Sequence, residues 1–268
     1  MNEQSFLQAL VLGMVEGVSE FLPISSTGHL IIVGDLIGFE GMPGKVFEIV
    51  IQLGAILAIC VLFRRKIFQT ARDARTDPAA RSFIIAILVA LLPAAFLGGL
   101  YHDFILTVLF SPFVVCSTLI LGGIAIIAIE RLELQPRFTS IEGVTPRTAL
   151  KIGLFQCLAL VPGVSRSGAT ILGALLVGVE RKTAAEFSFF LAIPVMIGAS
   201  SLNLYQNWEL IEASHAYIIA VGFVASFLSA LLVVRWLLNF LSTHGYTIFG
   251  YYRIFFGCVM LAWFLLRG

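Results

Sequence analysis

The chain alternates between long apolar runs and short polar breaks that carry most of its charge. Phe83–Leu100 and Phe113–Ile129 contain no charged residue, and Val46–Phe63 contains one Glu and one Gln among apolar positions. A helix needs about 20 apolar residues to cross a bilayer core, whereas the strands of a membrane barrel alternate in polarity. The pattern therefore predicts a membrane protein built from spanning α-helices.

Basic residues in the breaks predict which way each run crosses the membrane. Cytoplasmic loops are enriched in Lys and Arg, so the six basic residues between positions 64 and 81 place that break inside. The basic breaks at 131–151 and 181–182 are then also inside. Residues 152–178 leave by the face they entered, which predicts a re-entrant helix pair. By the same reasoning, residues 5–38 form a second pair that enters from the outer face.

The resulting prediction is an all-α integral membrane protein with six transmembrane helices and two re-entrant helix pairs. The predicted spans are residues 46–63, 82–101, 112–129, 183–203, 215–236 and 248–266. The break at 64–81 and the segment that carries Arg131, Arg137, Arg147 and Lys151 are expected to be inner loops. The turn at 102–111, which contains Asp103, and both termini are expected on the outer side.

The two re-entrant pairs are related by weak self-similarity at a constant offset of 140 residues. Matching positions are Gly13 with Gly153, Glu16 with Gln156, Ser25 with Ser165, Thr27 with Ser167, Gly28 with Gly168, Gly38 with Gly178 and Phe47 with Phe187. Since the charges place the pairs on opposite faces, we expect an inverted-topology repeat. Its two units are residues 1–130 and 145–268, and together they form a single membrane domain that spans residues 1–268. In such folds broken helices meet near the bilayer midplane and form the site there.

Composition supports this interpretation and excludes some partners. Hydrophobic residues make up 59% of the 268 residues and charged residues 12%, against about 25% charged in soluble domains. The net charge of +1 and the lack of a basic run predict no nucleic-acid partner. Met1–Leu12 lacks the features of a cleaved signal peptide, so the first helix is expected to stay. Four cysteines in apolar runs are expected to be small buried residues and not a disulfide framework or metal site: Cys60, Cys116, Cys157 and Cys258.

Polar side chains concentrate after the breaks in the two pairs, at Pro23 and at Pro162-Gly163. Each break precedes a short stretch rich in hydroxyls and glycine: Ser25, Ser26, Thr27 and Gly28 in the first, and Ser165, Ser167 and Gly168 in the second. A helix that begins there presents free N–H groups and a positive dipole end, which suits phosphate. Arg166 lies in the second stretch, and an arginine at membrane depth is functional by default. We therefore predict a phosphate-binding site. Taken alone, such a run of hydroxyl residues more often caps a helix than binds a ligand.

Three further residues, together with Ser26, complete a set suited to phosphoryl transfer. Glu16 and Glu20 are four apart on one helix face, and Mg²⁺ or Ca²⁺ between them would relieve their repulsion. Ser26 and His29 are three apart on the next helix, where a serine beside a histidine is a nucleophile with its base. Each feature alone has a structural explanation, but together, in two matched loops, they favour a catalytic site.

Other polar residues in the apolar runs receive supporting roles. Glu48 and Gln52 are four apart and are expected to bridge helices beside the site. Glu186 is expected to be a charge at the inner end of a helix. Arg253, which follows two tyrosines, is expected to anchor the helix bundle.

The motifs resemble a known family. Residues 16–29, EGxxEFLPxSSTGH, resemble the first signature of the bacterial undecaprenyl-diphosphate phosphatases of the BacA/UppP type, and residues 162–170, PGxSRSGAT, resemble the second. Phe47–Gly54, Glu186–Phe189 and Tyr252-Arg253 also fit, so the resemblance covers essentially the whole chain. The residues that the family needs fall on Glu16, Glu20, Ser26, His29 and Arg166.

The resemblance implies hydrolysis of undecaprenyl diphosphate to undecaprenyl phosphate and inorganic phosphate, which recycles the lipid carrier for peptidoglycan synthesis. It also implies a divalent cation, either Mg²⁺ or Ca²⁺, and a multi-pass location in the bacterial inner membrane with the site facing the outer side. Overproduction in such families confers bacitracin resistance.

Three questions stay open at this point. Ser26 could attack with His29 as its base, or His29 could attack directly and form a phosphohistidine. A polyprenyl-phosphate or anion transporter could use Arg166 and the two loops without hydrolysis, because inverted repeats are common in transporters. The oligomeric state is also undecided, with a homodimer among the expectations.

Overall fold

The computed structural model describes residues 3–39, 41–42, 45–101, 104–109, 111–210 and 215–267. These residues are mainly helical, and an isolated parallel bridge joins Phe138 to Val179. The α-helices are α1 (Glu3–Ser19), α2 (Ser26–Leu36), α3 (Val46–Leu62), α4 (Arg64–Asp73), α5 (Pro78–Leu100), α6 (Pro112–Glu130), α7 (Pro146–Gln156), α8 (Arg166–Leu176), α9 (Arg181–Gln206), α10 (Ala216–Phe240) and α11 (Thr247–Arg267). Shorter helical turns lie at Ile105–Leu109, Ile141–Gly143, Cys157–Leu160 and Trp208–Leu210.

Among the described residues, five helices are long and apolar enough to cross a membrane: α5, α6, α9, α10 and α11. The pair α3 and α4 is a sixth candidate, although the chain bends by 69° between its two helices. Large apolar side chains such as Leu92 and Phe96 of α5 are exposed, as expected of helices that face lipid. The chain is therefore a multi-pass helical membrane protein with five or six candidate spans in the part of the chain that the structure describes.

Two pairs of helices, α1 with α2 and α7 with α8, contain the predicted breaks. α2 and α8 have 11 residues each, which is about 16 Å of helix and too short to cross a bilayer core of about 30 Å. The residues before them, Ser25 and Ser165, both have positive φ angles, of 70° and 76°. A non-glycine residue in this region stores strain of about 1–3 kcal/mol and persists only where its surroundings fix it.

Small residues let these pairs pack closely on spanning helices. A Cβ added to Gly17 of α1 would collide with the backbone oxygen of Ser226 on α10. A Cβ added to Gly153 of α7 would likewise collide with the backbone of Ala90 on α5. Glycine at such points allows close helix contact within a membrane. The first pair is thus fixed on α10 and the second on α5.

The structure corrects two predicted loops. The basic break after α3 contains a helix, α4, whose Ile67 packs against the core while Phe68 is exposed. Arg147 and Lys151 lie on α7, which begins at Pro146 and is capped by Thr145. In both places charged side chains were interpreted as loop, but they occupy the exposed side of a helix.

The six predicted spans correspond to α3, α5, α6, α9, α10 and α11, with ends shifted by a few residues. Their number as membrane crossings stays a prediction. His102 and Asp103 of the predicted outer turn lie outside the described residues.

Candidate active site

The end of α1 and the turn after it bury two carboxylates. Glu16 is only 1% exposed and Glu20 only 7%. Beside them Phe21 is fully buried, and its ring meets that of Phe189 of α9 edge-on at a centroid distance of 5.4 Å. Removing a charge from water costs several kcal/mol unless partners compensate it, so the partners of these carboxylates define the site.

Glu20 has partners in both halves of the sequence. Its Oε1 lies 3.1 Å from Nη2 of Arg166, and its Oε2 accepts a hydrogen bond of 2.6 Å from Ser26 Oγ. Arg166 is the first residue of α8 and Ser26 is the first residue of α2. The structure therefore brings three of the predicted residues into one buried cluster at the starts of two short helices.

The guanidinium of Arg166 is also held by α9. Its Nη1 donates to the backbone oxygen of Ser188 at 2.9 Å, and its central carbon lies 5.9 Å from the centroid of the Phe21 ring. The Ser188 hydroxyl in turn bonds Thr170 Oγ1 at 2.6 Å. Arg166 Nε is buried and has no hydrogen-bond partner within the described protein. One donor of the fork is thus uncommitted and suits a phosphate oxygen.

The loops before α2 and α8 touch each other. Ser167 Oγ donates to the backbone oxygen of Leu22 at 2.8 Å, which joins the second loop to the first. Ser165 Oγ accepts a hydrogen bond of 3.1 Å from the Gly168 N–H and caps α8. The side chain of Ser25 forms no such cap on α2. Because the first N–H groups of a helix lack intrahelical acceptors, two positive helix ends lie where the loops meet.

The remaining two loop residues have different surroundings. Thr27 is partly exposed. Gly28 faces α6, where an added Cβ would come within 3.2 Å of Leu119 Cδ1. The small size of Gly28 therefore serves helix packing, whereas Thr27 belongs to the first turn of α2, whose free N–H groups attract anions.

His29 is bound by its own loop and by α11. Its Nδ1 lies 2.8 Å from the backbone oxygen of Ser25, and its Nε2 lies 2.6 Å from the hydroxyl of Tyr252. The imidazole also stacks on the ring of Phe256, with centroids 4.1 Å apart. Both ring nitrogens thus have partners, and the ring is held on three sides.

The predicted contact between Ser26 and His29 is not formed. Both residues lie on α2 and their spacing places them on one side of that helix, as expected. The serine hydroxyl, however, turns back to Glu20 on the α1 side, while the imidazole turns away to α11. A shared helix face thus fails to predict a shared hydrogen bond here, because the two side chains leave the helix in different directions.

Arg253 of α11 ties the site together from behind. It is 1% exposed and donates five hydrogen bonds of 2.9–3.2 Å, all to backbone oxygens. Since a guanidinium has five N–H donors, every donor is used. The acceptors belong to the first loop, the second loop and α6: Pro23, Gly163, Val164, Thr118 and Leu119. The prediction that Arg253 anchors the bundle is confirmed, and its partners show that it joins the two loops.

Two buried carboxylate oxygens lack hydrogen-bond partners within the described protein, Glu16 Oε1 and Glu48 Oε2. Glu16 lies close enough to Glu20 and Glu48 for their charges to interact. Uncompensated carboxylate oxygens are the ligands that Mg²⁺ and Ca²⁺ prefer, so these residues fit a divalent cation. Gln52 follows Glu48 by one turn of α3 and is partly buried. Among the described residues, no three His, Cys, Asp or Glu side chains are placed to hold a metal on their own.

No sequence pattern gave a reason to expect contacts from Ser188 and Tyr252, although each binds a side chain of the site. Ser188 binds Arg166, and its signal is a lone hydroxyl among phenylalanines in FSFF at 187–190. Tyr252 binds His29, and its only signal is its place beside Arg253. Neither pattern states which way the side chain points, so the contacts themselves could not be predicted.

Comparison with known proteins gives the family context. The family described as "Bacitracin resistance protein BacA" matches residues 9–259. The undecaprenyl-diphosphatase of Parvibaculum lavamentivorans is 68% identical over 268 residues, and the alignment covers the full length of both proteins. The undecaprenyl-diphosphatase 1 of Mesorhizobium japonicum is 50% identical and the undecaprenyl-diphosphatase of Cereibacter sphaeroides 51% identical, each over 269 positions with both chains fully covered.

Proposed function

The chain belongs to the BacA family of bacitracin resistance proteins, and on that basis we infer that it is an undecaprenyl-diphosphatase. It hydrolyses undecaprenyl diphosphate to undecaprenyl phosphate and inorganic phosphate, and so returns the carrier lipid to peptidoglycan synthesis. Relatives with this name align over the full chain. Within the site, the main support for this inference is that Glu20 binds Arg166 with one carboxylate oxygen and Ser26 with the other.

Ser26 is the nucleophile, and Glu20 takes its proton. The contact of 2.6 Å supports this assignment, because a base must lie within hydrogen-bond reach of the proton it removes. Ser26 Oγ attacks the terminal phosphorus, the bond from that phosphorus to the bridging oxygen breaks, and undecaprenyl phosphate leaves. Water then attacks the phosphoserine and gives a proton to His29, the bond from phosphorus to Ser26 Oγ breaks, and Glu20 returns its proton to that oxygen. Inorganic phosphate departs, and His29 releases its proton to solvent.

The charge of the diphosphate is balanced by the junction of the two loops. Arg166 supplies the cation, and the free N–H groups at the starts of α2 and α8 supply further donors, with the hydroxyls of Ser25, Thr27, Ser165 and Ser167 beside them. Donors that are fixed before the substrate arrives need no reorganisation in the transition state, which makes such sites effective. Arg253 supports this arrangement because it holds the loops at a fixed separation.

Glu16 would hold the divalent cation, Mg²⁺ or Ca²⁺, together with Glu20 or Glu48, and Gln52 supports that side of the site. The uncompensated oxygens of Glu16 and Glu48 support this set. When bound, the cation would neutralise charge on the phosphates and orient them.

Phosphate release by the purified protein in detergent tests the function. We expect release from undecaprenyl diphosphate with Mg²⁺ or Ca²⁺ and loss of release with a chelator, because a cation must offset the carboxylates and phosphates. A transporter needs a sealed membrane to act, whereas a phosphatase does not. If folded protein releases no phosphate under either metal, the enzyme assignment fails and the polyprenyl-phosphate or anion transporter becomes the better explanation.

The identity of the nucleophile can be read from a trapped phosphoenzyme. We expect a phosphorylated protein that survives acid, since a serine phosphoester is acid-stable, and we expect it to disappear in Ser26→Ala. Rapid acid quenching followed by mass spectrometry of the peptide that contains residues 16–29 measures both. An acid-labile phosphoryl group that depends on His29 would instead identify direct attack by the histidine.

The finer architecture is also a proposal. α3 provides a sixth span, the pairs α1–α2 and α7–α8 are re-entrant, and residues 1–130 and 145–268 form two inverted repeats of one domain. Three observations support this: α2 and α8 begin 140 residues apart, the residues before them share a positive φ, and α1 packs on α10 as α7 packs on α5.

The site faces the outer side of the bacterial inner membrane, as the basic breaks support. A cysteine introduced at Ser242, between α10 and α11, should then react with a membrane-impermeant thiol reagent only after permeabilisation. Labelling of intact spheroplasts would refute this orientation. A homodimer is one candidate oligomeric state, and the mass of the detergent-solubilised particle distinguishes it from a monomer.

A further inference from the structure

The hydroxyl of Tyr252 connects α11 to the histidine of the first loop. It lies 2.6 Å from His29 Nε2, a contact between residues 223 positions apart in the sequence. The rings of His29, Tyr252 and Phe256 are nearly parallel, with interplanar angles of 6° to 8°. The imidazole is therefore fixed both by stacking and by a hydrogen bond at each nitrogen.

The partners of His29 define which nitrogen carries the hydrogen. A backbone oxygen can only accept, so the contact of 2.8 Å with Ser25 requires a hydrogen on Nδ1. In the neutral ring Nε2 then has a lone pair, and the hydroxyl of Tyr252 donates to it. The same oxygen of Ser25, a residue with a φ of 70°, also accepts the His29 N–H at 3.4 Å, so the residue before α2 and the tyrosine act on the same histidine.

We propose that Tyr252 is a positioning residue for the phosphatase reaction, which holds His29 in one orientation with the lone pair on Nε2. The proposal rests on the function inferred above, in which the attacking water takes the place of the Tyr252 hydroxyl at the Nε2 lone pair and gives its proton to that nitrogen. The ring must be aligned before the water arrives, because proton transfer requires a donor and an acceptor within hydrogen-bond reach. Tyr252 is 40% exposed, so it occupies the open side of a ring that is otherwise buried.

Tyr252→Phe removes only the hydroxyl and keeps the ring that stacks on Phe256. We expect kcat for phosphate release to fall about tenfold while KM changes less than about twofold, because the step that uses His29 is slowed while phosphate binding is unaffected. Tyr251→Phe is the matched control, since the side chain of this neighbouring tyrosine is exposed on α11, and it should retain the kinetics of the unaltered protein.

A second measurement reports on the histidine directly. In protein labelled with ¹⁵N-histidine, we expect the His29 Nε2 resonance to be that of a hydrogen-bonded acceptor and to shift in Tyr252→Phe, with Nδ1 protonated in both proteins. This result does not depend on turnover, so it separates the proposal from the inferred function. An unchanged Nε2 resonance, or a hydrogen on Nε2 in the unaltered protein, would overturn the proposal. So would unchanged kcat in Tyr252→Phe when the unaltered enzyme is active.

Discussion

Replacing Arg166 with lysine should lower kcat/KM for undecaprenyl diphosphate by about 10²- to 10³-fold. Lysine keeps the positive charge but lacks the planar fork that binds two groups at once. The guanidinium now contacts Glu20 and the backbone oxygen of Ser188 while its Nε remains uncommitted. A single ammonium group cannot serve all three positions. Phosphate release in detergent at saturating divalent cation measures the loss.

Arg181→Lys is the matched control for this change. Arg181 also begins a helix and also pairs with a glutamate, since its Nη2 lies 2.6 Å from Oε2 of Glu130. That pair lies away from the two loops and contacts none of the residues of the proposed site. We expect Arg181→Lys to retain nearly full activity. If Arg166→Lys were as active as this control, Arg166 would not be the phosphate-binding cation.

Replacing Arg253 with methionine should cause a large loss of stability. The change removes a donor from five backbone oxygens. Those of Thr118 and Leu119 keep their bonds within α6, whereas those of Pro23, Gly163 and Val164 lie in the loops, and an unsatisfied buried polar group costs about 1–3 kcal/mol. Some of these oxygens will find other partners, but a total of more than about 4 kcal/mol is expected, which is exceptional for one substitution. The midpoint of thermal unfolding in detergent should fall by about 10 °C or more.

The thermal midpoint of Arg253→Lys should lie between those of the unaltered protein and Arg253→Met. Three donors replace five, so part of the contact between the loops survives. Arg235→Met, an exposed position on α10, controls for the loss of a charge from a helix. A thermal midpoint for Arg253→Met equal to that of the control would show that the loops are held by other contacts, and the anchor role would be wrong.

The broken helices could be predicted because their cause is local. Proline at 23 and 162 interrupts apolar runs, and the residues that follow are suited to helix starts. Matching breaks in the two halves then predicted that both loops belong to one site. The contact of Glu20 with Arg166 agrees with that reasoning, although no local pattern gives its geometry.

The failures concern the directions of side chains. Spacing placed Ser26 and His29 on one side of α2, but the neighbours of α2 decide where each side chain goes. Glu20 attracts the serine, and the aromatic rings of α11 attract the imidazole. Such choices depend on tertiary packing, which periodicity along one helix does not contain.

The error at α4 has a different origin. A run of basic residues was interpreted as loop, whereas Arg64–Asp73 is an amphipathic helix with Ile67 against the core. Charge predicts the side of the membrane, and it does not distinguish a loop from a helix that lies at the surface.

The contacts of Arg253 have a consequence for biosynthesis. The residues proposed to do the chemistry all precede α9, yet the arginine that joins their loops lies on α11, which the ribosome makes much later. A nascent chain that has inserted only its first nine helices would already contain every catalytic group. It would still lack Arg253, whose hydrogen bonds join the two loops, so hydrolysis should begin only when α11 enters the membrane.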